Sequence, residues 1–167
     1  MKRRISIWLQ SQKNKNVLFL LRFVFILRKV CVSKQLTDLV KRIPDSYVKT
    51  KPGGFQADYV SHADIQQILL AKLGPCSQEV TRVITNAEGV VQGCVLRVLY
   101  TIDGVQHVIE EAGDVERPGA NNGSNLKNAV SDAVKRCAMR VGVGLHLWSQ
   151  DNYVLDKILM EDSDDDQ

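Results

Sequence analysis

A β-branched run from Val90 to Ile102 constrains this chain more than any other feature, because turn chemistry closes it on both sides: Asn86-Ala87-Glu88-Gly89 before it and Asp103-Gly104 after it. Such a run reads as a strand, and Asp-Gly is a two-residue hairpin signal. Flanking it, Glu79 to Thr85 carries Val80, Val83 and Ile84, and Val105 to Ala112 supplies a third strand. The expectation is a three-stranded antiparallel meander. Side chains alternate across a strand. Cys94, Leu96, Val98, Tyr100 and Ile102 therefore share one face, and Gly93, Val95, Arg97, Leu99 and Thr101 the other. Both faces are rather apolar, so each calls for cover besides water.

Helical spacing supplies one cover. Leu126, Ala129, Val130, Ala133, Val134, Cys137, Ala138 and Val141 form a continuous apolar stripe on a helix expected from a cap at Ser124 or Asn125 to about Val141. Its opposite side carries Asn128, Ser131, Asp132, Lys135, Arg136, Met139 and Arg140. Upstream, Leu36, Leu39, Val40 and Ile43 mark a short helix over 35–43 stopped by Pro44. Tyr47 to Lys51, the turn Pro52-Gly53-Gly54 and Phe55 to Val60 read as a small basic hairpin. A capping Ser61 opens a helix over 62–73 that ends at Gly74-Pro75.

Charge is strongly segregated behind a formal net charge of +3. Eight Lys/Arg and no acid fall in residues 1–31, and five acids with no base in 161–167, which leaves 32–160 neutral in sum. The expected organisation is a basic, apolar extension over 1–32, one domain over 33–150 and an acidic tail over 151–167, disordered beyond Met160. Arg22 interrupts the apolar stretch Val17 to Ile26, so no transmembrane helix is expected, and a secretory signal lacks its cleavage site. An acid-free, Arg-rich segment also suits an organelle presequence or a membrane-surface helix. The abrupt change of composition at Val32-Ser33 favours an upstream extension. Cys31, Cys76, Cys94 and Cys137 are far apart, without CxxC or Cys/His spacing, which points to reduced thiols and no zinc site.

Enzyme chemistry has one candidate. Glu110, Glu111, Asp114 and Glu116 crowd a strand end, where carboxylates could hold Mg²⁺ for phosphodiester hydrolysis, though no further motif completes a metal site. His62, His107 and His146 stand alone, and Cys94 and Cys137 read as small buried hydrophobes. Gly142-x-Gly144 lacks the lysine and context of a phosphate loop, so ATP turnover has no visible apparatus and no cofactor is expected.

Cations are more informative. Lys135 and Arg136 lie on a helix whose other face is committed to the core, and Lys49 and Lys51 project from one side of the hairpin. Together they suit a groove that holds phosphates. Spacing equally suits a plain solvated face in which Asp132 pairs with Arg136 at i, i+4.

The segment Ser131-Asp132-Ala133-Val134-Lys135-Arg136-Cys137-Ala138-Met139-Arg140-Val141-Gly142-Val143-Gly144 resembles the signature helix of the Rad-fifty-two-type single-strand annealing proteins, with their bacterial and phage relatives. In that family a Ser/Thr-Asp pair precedes a Lys-Arg pair and a Gly. Tyr47 to Gly54, Tyr59-Val60 and a helix ending in Leu73-Gly74 are similar to the family's opening hairpin and helix, and the resemblance spans about 36–148 in order. It implies an α+β fold of β-β-β-α type, with an N-terminal helix and basic hairpin, whose copies assemble into a ring or arc. It further implies a non-enzymatic protein of the bacterial or phage-infected cytoplasm that binds single-stranded DNA and anneals complementary strands in recombination and repair. Lys135 and Arg136 would line the inner groove, and Lys51 matches a basic hairpin position of the family. Lys49 and Arg140 join them on charge and facing alone. The alternative is a Mg²⁺-dependent nuclease or phosphohydrolase using Glu110, Glu111 and Asp114.

Overall fold

The computed structural model describes residues 33–51, 58–149 and 153–158. The extension over 1–32, the hairpin turn Pro52-Gly53-Gly54 and the tail after Met160 lie outside the described residues. What is described is a mixed α+β domain built on one three-stranded antiparallel sheet. Elements follow in the order α1 (Lys34–Val40), β1 (Val48–Thr50), β2 (Asp58–Val60), α2 (His62–Leu73), β3 (Ser77–Thr85), β4 (Val91–Ile102), β5 (Val105–Asp114) and α3 (Asn122–Arg140). Strands β1 and β2 pair as a separate antiparallel ribbon.

The meander forms because its turns suit it. Asp103 and Gly104 both take positive φ, 52° and 77°, matching the right-handed twist of the strands they join. Register places Val98 opposite Ile109 and Gln78, and Leu96 opposite Val80 and Glu111. The face carrying Cys94, Leu96, Val98 and Tyr100 is fully buried, and α3 covers it with Ala129, Ala133, Val134, Cys137 and Ala138. On the other face Val95, Arg97 and Leu99 are half-buried, and Arg97 lies between Glu79 at 3.6 Å and Glu110 at 3.2 Å. Among the described residues, no helix packs there.

Small residues bring the helix onto the sheet. A Cβ on Gly113 would fall on the carbonyl oxygen of Ala129 and within 2.5 Å of Ala133 N, so β5 admits α3 only because a glycine stands there. The Ala-rich stripe of α3 is the other half of this close approach.

Asparagines tie the two layers at the other end. Sequence spacing puts the helix cap at Ser124 or Asn125, whereas Asn121 is the cap, its side chain accepting from Ser124 N at 3.0 Å. Asn125 is instead buried, donating to Val91 O at 3.1 Å and accepting from Gly119 N at 2.6 Å. Its amide is committed to cross-links, which leaves the capping to an Asn one turn earlier.

The first helix is shorter than its apolar spacing suggests. It leaves helical geometry at Lys41, three residues before Pro44, yet Ile43 is still buried. Helix α2 begins and ends where expected, with Ser61 accepting from Asp64 N and Gly74 at φ 74° closing it. Packing continues past residue 150, where sequence reading ends the domain. Tyr153 is buried, donates its hydroxyl to Val40 O and lies edge-on to His146, while Arg42 pairs with Asp156 at 2.5 Å.

Gly113→Ala is expected to lower stability by about 2 kcal/mol or more, since a methyl group must push α3 off the strand. Urea unfolding followed by circular dichroism checks this; an unchanged midpoint would contradict the close approach.

Candidate nucleic-acid interface

Three elements bring cations together where the end of β1, the loop after β5 and the charged side of α3 meet. Lys51, at the end of β1, places its Nζ 2.7 and 2.8 Å from the two carboxylate oxygens of Glu116, sixty-five residues away. Hydrogen bonding and charge from Lys51, with the further charges of Arg117 and Lys135, hold the Glu116 carboxyl below its ordinary range. Among the described residues Lys51 is the ion-pair partner of this carboxylate, and Lys135, on the helix, acts on it only as a more distant charge.

Arg136, the next residue on α3, donates its Nε to Asp132 Oδ2 at 2.8 Å. This is the i, i+4 pair that spacing also allows. The Asp132 hydrogen bond stabilises the guanidinium as a cation, supported by the charges of Asp114 and Glu111. Arg140, one turn further, pairs with Glu111. Lys49 pairs elsewhere, with Asp64 at 3.5 Å at the start of α2, where Ser61 and then Lys49 keep that carboxyl below its usual range. Sequence reading put Lys49 and Lys51 on one side of the hairpin; their carboxylate partners differ. Of the five candidate cations, four have a carboxylate partner, and Lys135 has none in an ion pair among the described residues.

Two residues of this neighbourhood carry no signal in the sequence. Trp148 is 55% exposed, and the guanidinium of Arg136 lies 5.7 Å from its ring centroid. Gly142 and Gly144, at φ 98° and 75°, reverse the chain after α3 and make this contact possible. Glu116 reads in sequence as one more member of an acidic group; only the fold shows that it faces Lys51.

The acidic candidates do not converge. Successive side chains of a strand point to opposite faces. Glu110 accordingly pairs across β4 with Arg97 and receives a hydrogen bond from Thr81 Oγ1, while Glu111 faces α3 and Arg140. Asp114 offers its backbone N–H to Asp132 at 3.2 Å. Among the described residues no group of three His, Cys, Asp or Glu side chains is arranged to hold a metal ion.

Of the lone histidines, His146 is buried, and burial lowers its pKa. Cys94 and Cys137 are buried, as their positions on the apolar faces suggest, and burial pushes the Cys137 thiol up to about 12. No helix among the described residues is long and apolar enough to cross a membrane. No protein-family model and no curated protein matches this chain.

Cys76 is half-buried, so in the native protein it is expected to react with a thiol reagent before Cys94 or Cys137. Peptide mapping of the alkylated protein reads this directly. Labelling of Cys137 at the rate of Cys76 without denaturant would contradict the seating of α3.

Proposed function

We propose that this chain binds the sugar-phosphate backbone of single-stranded DNA and promotes annealing of complementary strands, without ATP hydrolysis or covalent chemistry. The observation that carries this reading is the pairing of Lys51, from the ribbon, with Glu116 in the loop pinned to α3, whose charged side bears Lys135 and Arg136. An ammonium group that holds a carboxylate can hold a phosphate in its place. Likeness of the hairpin, meander and Lys-Arg helix to the single-strand annealing proteins agrees with it.

Chemistry follows from charge. Two DNA strands repel through about one charge per nucleotide, and cations held in a row neutralise it while bases stay free to test pairing. The duplex that forms supplies the driving force. Trp148, exposed beside Arg136, offers a face on which a base can stack.

One subunit of this kind binds weakly. Its cations are mostly matched by its own carboxylates, so affinity calls for many subunits along one strand. Assembly into a ring or arc supplies them, and two features support it. Strand β3 is an edge strand exposed along its whole length, including Val80, Val83 and Ile84. The sheet face opposite α3 carries Val108, Leu99 and Val95, which another copy can cover. The proposed setting is the reduced cytoplasm of a bacterium or a phage-infected cell, in keeping with free Cys76, Cys94 and Cys137.

Lys135→Ala combined with Arg136→Ala is expected to weaken binding of an oligothymidylate about tenfold or more and to flatten its salt dependence, while the circular dichroism spectrum stays that of the parent. Annealing of complementary oligonucleotides without metal or nucleotide should fall with it, on assemblies that light scattering shows to be larger than a monomer. Unchanged affinity would remove the site from α3, and degradation of the oligonucleotide on addition of Mg²⁺ would favour a nuclease.

A further inference from the structure

The contact between Lys51 and Glu116 differs in construction from an ordinary surface pair. Glu116 lies in the loop between β5 and α3, and that loop is fixed from both sides. Val115 N donates to Gln92 O at 3.0 Å, Asn128 Nδ2 donates to Arg117 O at 3.2 Å, and Gly119 N donates to Asn125 Oδ1 at 2.6 Å. A loop pinned to β4 and to α3 presents its carboxylate at a set place. Lys51 donates to both oxygens of that carboxylate, and the charge of Lys135 on the helix acts on it from further off.

A carboxylate held by an ammonium group has the charge and the acceptor oxygens of a phosphodiester. Its exposure settles how it can be removed. The Glu116 side chain is 69% exposed and that of Lys51 37%, so the pair is screened by water and dissociates at low cost. An anion carrying several linked charges can outcompete it, whereas a single inorganic ion gains little by doing so.

Resting on the annealing reading above, we propose that Glu116 is an internal counter-anion standing where a backbone phosphate binds, and that single-stranded DNA enters by displacing it from Lys51. The carboxylate sets a threshold. Isolated phosphates and short strands fail to clear it, while a strand that spans several subunits replaces one carboxylate after another. Salt dependence carries the mark of this exchange. A cation already neutralised by its own protein releases no salt ion from DNA until the carboxylate leaves, so the slope falls short of the cation count.

The test compares binding of oligothymidylate to the full chain, to Glu116→Gln, to Glu116→Asp and to Glu79→Gln, across a salt series by fluorescence anisotropy. Glu79 faces Arg97 on the sheet face opposite α3, so its variant makes the same charge change away from the cluster. Glu116→Gln should bind about two- to fivefold more tightly at low salt. Its log–log salt slope should steepen by about 0.7 for each subunit engaged. Glu116→Asp should stay near the parent, and Glu79→Gln should show no steeper slope. Glu116→Gln indistinguishable from the parent or from Glu79→Gln, while Lys135→Ala with Arg136→Ala still weakens binding, would overturn the displacement and leave the annealing reading standing. Absence of binding by both the parent and Glu116→Gln would instead overturn the annealing reading, and this inference with it.

Discussion

The close seating of α3 on the sheet is the constraint from which the rest of the domain follows. Gly113 on β5 and Ala129 and Ala133 on α3 let the helix backbone approach the strand, and that distance decides where every charged residue on the helix stands. Because Ala133, Val134, Cys137 and Ala138 face inward, Asp132, Lys135 and Arg136 are left at the rim, half-buried beside the loop that carries Glu116. The site is therefore a by-product of the core. A longer side chain at Gly113 would displace the cations together with the helix that bears them.

Electrostatics then qualify the picture of an open basic groove. Asp64, Glu116, Asp132 and Glu111 each engage one of the candidate cations, so the rim is close to neutral as built. Pairs of this exposure contribute little to stability. On the proposed function their weight is on binding: they keep long cationic side chains ordered and make affinity depend on how many neighbouring seats one ligand can occupy. On the proposed function, a rim organised like this favours extended polyanions over small ones. Nothing in such a mechanism requires a reactive side chain.

Much of the fold was legible from residue patterns, for identifiable reasons. The Asp-Gly turn and the β-branched run carry strong local signals, and β4 and β5 form where those signals place them; Ser61 and Gly74 likewise bracket α2. Less legible were features set by contacts far apart in sequence. Asn125 reads as a helix cap but is consumed by bonds to Val91 and Gly119, so Asn121 takes the cap. Of the candidate site, Lys135 and Arg136 could be placed on the outer side of α3 by periodicity. The carboxylate that Lys51 would face, and the return of Trp148 to Arg136 through two left-handed glycines, depend on tertiary geometry that no local pattern encodes. Glu110 and Glu111 illustrate the converse: adjacent in sequence, they are separated by the alternation of a strand.

The central proposal is that the anion held by Lys51, beside Lys135, gives way to the phosphates of a single strand. Amine acylation read by mass spectrometry, with and without a saturating oligothymidylate, tests it at the residues themselves. The account predicts that Lys51 and Lys135 lose reactivity when DNA is bound, while Lys41 and Lys127 keep theirs. Bound DNA that leaves Lys51 and Lys135 as reactive as in the free protein would contradict it.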